Sequence, residues 1–251
     1  MSECEPLWEM ETYWRELQLF HIAREGNRHR FYRDARGLVT IGIGHLVDRG
    51  DGASHAQRRD VAESFARANA SHFRTADGGR ASPAQVLEDW ERVHRGSVRV
   101  GQLQLPQEGI DALYTQRVRG YLDEMYNRRP FSSCLPPRIQ MALVDARYNP
   151  ARVSLYPGEA TRGGDAAERR ERESVRAMWS ALDRDSPEAP LHYNPRAALE
   201  LFRQIWRGRG GPVYQNRHTW RVSQFEQGVA TMLADDESRF HELIDDLASG
   251  R

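Results

Sequence analysis

Glu25, Asp34 and Thr40 stand close together in one stretch, EGNRHRFYRDARGLVTIGIGH. The two carboxylates have different local settings. A helical pattern runs into Glu25 and stops at Gly26, so Glu25 falls in a last helical turn. The partial negative charge of a helix C-terminus disfavours ionisation there, which makes Glu25 the candidate to hold a proton. Asp34 opens a polar turn, where backbone N–H groups and solvent favour the charged form. A proton-holding acid beside an ionised one is the pair that glycoside hydrolysis requires. Thr40 could hold a water molecule or a sugar hydroxyl between them. Taken singly, each residue has an ordinary reading: a solvated helix-end Glu, a turn-forming Asp, a strand Thr. His45 reads as a structural histidine. Only the joint spacing lifts the first three above that background.

The elements that must hold these residues are legible nearby. Leu7, Met10, Trp14, Leu17 and His21 fall at spacings of three and four, which predicts a helix over residues 5–24 that delivers Glu25 at its end. A short β-type run follows, then a turn at Asp34 to Gly37, then a second run over 38–43. There Val39, Ile41 and Ile43 share one face, with Thr40, Gly42 and Gly44 on the other. Glycines weaken a strand, so Gly42 and Gly44 suggest a floor stripped of side chains for a ligand.

The stretch resembles the catalytic segment of the phage-type lysozymes, the muramidases of glycoside hydrolase family 24. Their pattern is Glu-Gly, then Tyr-x-Asp, then Gly-x-x-Thr-Ile-Gly-x-Gly-His. Here it reads Glu25-Gly26, Tyr32-Arg33-Asp34 and Gly37-Leu38-Val39-Thr40-Ile41-Gly42-Ile43-Gly44-His45, without a gap. Looser likeness extends the resemblance to residues 10–47, 106–150 and 196–228. It implies an α+β fold, mostly α, with a small β-hairpin lobe and a larger helical lobe around a cleft. The activity implied is hydrolysis of the β-1,4 bond between N-acetylmuramic acid and N-acetylglucosamine. Glu25, Asp34 and Thr40 would be catalytic, and no cofactor would be needed. Gly42, Gly44, Tyr148, Asn149 and Arg217 would face substrate, with structural roles for Tyr148 and Arg217 as the alternative. One departure is clear. The family pairs its motif histidine with an acid on the linking helix, whereas TQRVRG offers Arg here.

The rest of the chain sets the frame. The 251 residues suffice for one large lysozyme-like domain, divided into an N-terminal lobe over 1–105, a linking helix over 106–125 and a C-terminal lobe over 126–251. Residues 57–73, 83–95, 106–122 and 195–206 have helical patterning. Ser82-Pro83 is a ready N-cap and N1 pair. Residues 48–105 and 156–195 read as insertions, serving as padding, a cleft wall or a docking surface. The RRERE run within 156–190 reads as a solvated helix with internal ion pairs. An Asn216-Arg217 pair begins the last helix, with Phe225 nine residues on.

Composition closes several routes. The 36 acidic and 36 basic residues cancel, giving no electrostatic case for a nucleic-acid partner. There is no Lys, so lysine Schiff-base chemistry is excluded. Cys4 and Cys134 lack metal-type spacing; free thiols are the default reading and a disulfide stays open. No His-Glu-x-x-His, Cys-x-x-Cys or Gly-x-Ser-x-Gly motif occurs. The N-terminus has no apolar run of signal or anchor type, so the expectation is a cytoplasmic product, without membrane insertion, that acts in the periplasm or cell wall. The expected partner is the glycan strand of peptidoglycan, engaged by a monomer. Two settings remain open: a phage endolysin, or an antibacterial effector with an immunity protein or secretion-machine component as a further partner. A catalytically silent peptidoglycan-binding module is the alternative of another class.

Overall fold

A computed structural model describes residues 4–48, 52–148, 166–184, 192–205 and 212–249. The fold is α+β and mostly helical, with one small three-stranded antiparallel sheet. It divides into two compact units. One is Arg15–Val118; the other joins Met1–Trp14 to Arg119–Arg251. This differs from the division expected from sequence, because the first residues are tied to the C-terminal portion. Cys4 and Cys134 form a disulfide, with Cα atoms 4.3 Å apart, where free thiols were the default expectation. The Leu7 amide donates to the Tyr126 hydroxyl at 3.1 Å.

In the first unit, α1 (Glu11–Glu25) leads into β1 (Arg28–Arg33), β2 (Val39–Gly42) and β3 (His45–Leu46). The helix starts later than its apolar spacing suggested. Leu7–Glu9 is a 3-10 turn, and Met10 leaves the helical region at φ −90°, ψ 80°. Strand β1 pairs with β2, setting Tyr32 opposite Thr40, and β2 pairs with β3, setting Ile41 opposite His45. All four residues of β2 are buried, so its polar-looking face is covered as well as its Val/Ile face.

Residues 48–105 brace the hairpin. Here α2 (His55–Asn69) and α3 (Pro83–His94) begin with matching capping boxes, Ser54 with Gln57 and Ser82 with Gln85. Phe31 of β1 stacks on Phe73 at 5.3 Å between ring centroids, and Phe65 meets Phe73 edge-on at 6.2 Å. Asp48 is buried, yet satisfied: it accepts from the Val39 amide at 3.0 Å and from Trp90 Nε1 at 2.8 Å. Helix α3 is thereby tied to the first residue of β2.

The first unit ends in α4 (Gln107–Arg128), which continues into the second unit. Its stripe of Ile110, Leu113, Tyr114, Val118 and Leu122 is buried throughout, as the spacing predicts. Within the first unit two side-chain bonds join α1 to it: Gln18 Nε2 to Asp111 Oδ1 at 2.8 Å, and His21 Nδ1 with the Tyr114 hydroxyl at 2.9 Å.

In the second unit α5 (Pro137–Tyr148) is the central helix, buried from Ile139 to Ala146. It packs against the long α8 (Pro212–Ser249); α8 also packs against α7 (Pro195–Ile205), and α7 against α6 (Ala166–Leu182). Helix α8 starts before Asn216, where the sequence suggested its beginning. Phe202 and Phe225 stack at 4.2 Å between α7 and α8. The RRERE run lies in α6, as a helix. Helix α6 ends at Leu182, and residues 149–165 and 206–211 lie outside the described residues.

Candidate active site

Five of the residues singled out from sequence belong to the first unit: Glu25, Asp34, Thr40, Gly42 and Gly44. Glu25 is the last residue of α1, and Gly26 follows with φ +80°, the left-handed conformation that closes a helix. The Gly26 amide donates back to Ile22 O at 2.9 Å. The side chain of Glu25 then lies against the hairpin turn. A Cβ built on Gly44 would be 3.0 Å from both Cβ and Oε2 of Glu25. Gly44 has φ +60°, so both its backbone and its neighbour require a residue without a side chain.

Asp34 is fixed by its own turn. Its Oδ1 accepts from the Arg36 amide at 2.9 Å and the Leu38 amide at 2.8 Å, while its backbone amide donates to Leu38 O at 2.8 Å. Backbone donors therefore set the carboxylate's orientation, as expected for an acid opening a polar turn. Oδ2 lies 3.7 Å from Arg36 Nε, and the side chain keeps 25% of its surface exposed.

Tyr32 lies on β1, between the two acids in the chain. It is Thr40's cross-strand partner, and the guanidinium of Arg28 lies over its ring, 5.7 Å from the centroid. Burial pushes the phenol's pKa up, Arg28 opposes this, and the charges of Glu25 and Asp34 both push it further up. One neutral phenol thus senses both carboxylates. Its position was visible only as a letter in the Tyr-x-Asp motif, and nothing in the spacing gave it a role. Thr40 is 5% exposed, and its hydroxyl donates to Leu38 O at 3.4 Å, a long bond.

Gly42 and Gly44 both have positive φ and turn the chain from β2 into β3. A Cβ on Gly42 would meet Ile110 of α4 at 3.6 Å. Both glycines supply the positive φ of the turn, and only Gly44 has a neighbour, Glu25, close enough to crowd a side chain.

Among the described residues His45 has no carboxylate partner. Burial, then the charge of Arg117, lowers its pKa to about 3, and its Nδ1 makes no hydrogen bond. Arg117 Nη1 instead donates to the Gly44 carbonyl at 2.8 Å.

Tyr148 and Arg217 belong to the second unit. Tyr148 is 5% exposed and meets Tyr121 edge-on at 6.2 Å. Arg217 is 4% exposed; its Nε donates to Asp145 Oδ1 at 2.9 Å, and Arg221 joins the same acid at 2.5 Å. Both take the structural alternative in their own unit, the arginine because a buried guanidinium requires a carboxylate. Asn149 lies outside the described residues. Among the described residues no cluster of His, Cys, Asp or Glu could hold a metal ion, and no helix is long and apolar enough to cross a membrane.

Compared with protein-family models and with curated proteins, the chain matches none.

Proposed function

We propose that this protein is a peptidoglycan hydrolase, a muramidase that cleaves the β-1,4 bond between N-acetylmuramic acid and N-acetylglucosamine. The observation that carries the reading is the placement of both acids on one hairpin: the Glu25 side chain abuts the Gly44 turn, and backbone donors hold Asp34 in the turn between β1 and β2. The resemblance of residues 25–45 to the family 24 motif supplies the chemistry. Glu25 protonates the glycosidic oxygen as its bond to the anomeric carbon breaks. Asp34 stabilises the developing oxocarbenium charge, and with Thr40 it directs water to the sugar. The proposed steps require no cofactor. The setting follows the same reading: the enzyme acts on the cell wall, as a phage endolysin or as an antibacterial effector held in check by an immunity protein.

The long hydrogen bond and low exposure of Thr40 favour a second reading, a catalytically silent module that binds peptidoglycan. Incubation of the unmutated protein with purified peptidoglycan separates the two. Soluble muropeptides with N-acetylmuramic acid at the reducing end support the muramidase. Co-sedimentation without any such product supports the silent module.

A further inference from the structure

We infer that Arg117 is a positioning residue for Glu25, holding the glycine turn of the hairpin against the acid; the inference rests on the proposed muramidase reading for its kinetic consequence. The observations form a short chain within the first unit. Arg117 Nη1 donates to the Gly44 carbonyl at 2.8 Å. Gly44 is the residue whose absent side chain leaves room for Glu25, with 3.0 Å from its Cβ position to the acid's Cβ and Oε2. A shift of this turn by a fraction of an ångström therefore reaches the carboxyl directly.

The same helix supports the turn at a second point. Ile110, two turns before Arg117 on α4, lies 3.6 Å from the Cβ position of Gly42. Helix α1 is fixed to α4 independently by Gln18 with Asp111 and His21 with Tyr114. Helix α4 thus holds both sides of the contact: the helix that carries Glu25 and the turn that Glu25 touches.

Arg117 also explains why His45 does not do this work. A protonated His45 beside a guanidinium would be repelled, and the ring is buried. The imidazole therefore remains neutral, with Nδ1 unbonded, and the hydrogen bond that fastens the turn comes from a group that stays charged at every working pH. A hydrogen bond from a charged donor is among the stronger ones available, and here it acts on the carbonyl of a residue that itself has positive φ.

The test compares Arg117→Met, which keeps a long stem, with Arg117→Lys, which keeps the charge and one donor. Three readouts apply: kcat and KM on purified peptidoglycan, the NMR titration of the His45 ring, and amide exchange at Gly44 and His45. In Arg117→Met, kcat is expected to fall about tenfold with KM within about twofold of wild type, since small misplacements of a reacting group act on the chemical step. The His45 midpoint rises and both amides lose protection. Arg117→Lys restores the His45 midpoint and part of kcat. Unchanged kcat in Arg117→Met, with the His45 midpoint raised, overturns the inference. Should Arg117→Met fail to fold, Arg117→Lys decides, and wild-type kcat in that variant with protection lost at the Gly44 and His45 amides overturns the inference. Should the unmutated protein release no product, the muramidase reading falls by itself. The inference then stands on the amides and on the Glu25 side-chain carbonyl signal, and is overturned if neither changes in Arg117→Met.

Discussion

Gly44 lies so close to Glu25 that one methyl group on it would come within 3.0 Å of the acid's Cβ and Oε2. The last residue of a helix and the turn of a hairpin are joined at the atom level, and the position of the carboxyl depends on both. Gly44→Ala adds backbone strain at φ +60° to this contact. It should cost about 1–2 kcal/mol or more in thermal or denaturant unfolding, and reduce peptidoglycan hydrolysis by at least an order of magnitude. Gly78→Ala is the control. Gly78 has φ +84° but nothing within 4 Å of its Cβ position, so it should show the strain and leave the rate unchanged.

Asp34→Asn separates charge from shape at the second acid. The amide oxygen can still accept from the Arg36 and Leu38 amides, and the ion pair with Arg36 is exposed. Stability should change by less than about 1 kcal/mol. Under the proposed mechanism hydrolysis should fall by on the order of a hundredfold, because the charge lost is the one proposed to stabilise the oxocarbenium ion. Circular dichroism and reducing-end assays on the same sample read both quantities.

His45 gives the fold an acid-sensitive component. Its pKa is lowered from 6.5 to about 3, so the unfolded chain binds the proton before the folded one. The contribution is fully present above about pH 6.5 and is lost as pH falls towards 3, with a slope approaching about 1.4 kcal/mol per pH unit. His94, lowered chiefly by burial, acts in the same direction. Urea unfolding between pH 7 and 4.5 should therefore show falling stability. His45→Gln should flatten that slope, since a neutral amide takes up no proton.

The disulfide between Cys4 and Cys134 spans a sequence separation of 130 residues. Constraint of so long a loop in the unfolded chain corresponds to on the order of 4–5 kcal/mol in the chain-entropy model. Cys4→Ser, or treatment with a reductant, should lower the unfolding midpoint in denaturant markedly while the hairpin residues 25–45 keep their NMR shifts.

Local signals were the ones legible in the sequence. Ser82, Pro83 and Gln85 announce the start of α3 because a capping box is written within four residues. The buried stripe of α4 follows from spacing alone, and Asp34 before Gly37 announces its turn. The rest depends on partners far along the chain. Asp48 sits in a stretch that reads as solvated loop, yet it is buried because Trp90 and the Val39 amide donate to it. Gly42 and Gly44 look like a bare strand face until Ile110 and Glu25 are seen opposite them. Arg217 has substrate-binding and structural readings until Asp145, on another helix, fixes it in a buried ion pair. The helix-end position of Glu25 and the turn position of Asp34 were legible; the residues packed around them were not.

The account turns on Glu25 as the proton donor, and Glu25→Gln tests it with the smallest change of shape. Release of reducing ends from purified peptidoglycan should drop by a hundredfold or more, with the circular dichroism spectrum and unfolding midpoint retained. Hydrolysis by Glu25→Gln at the wild-type rate would contradict the account.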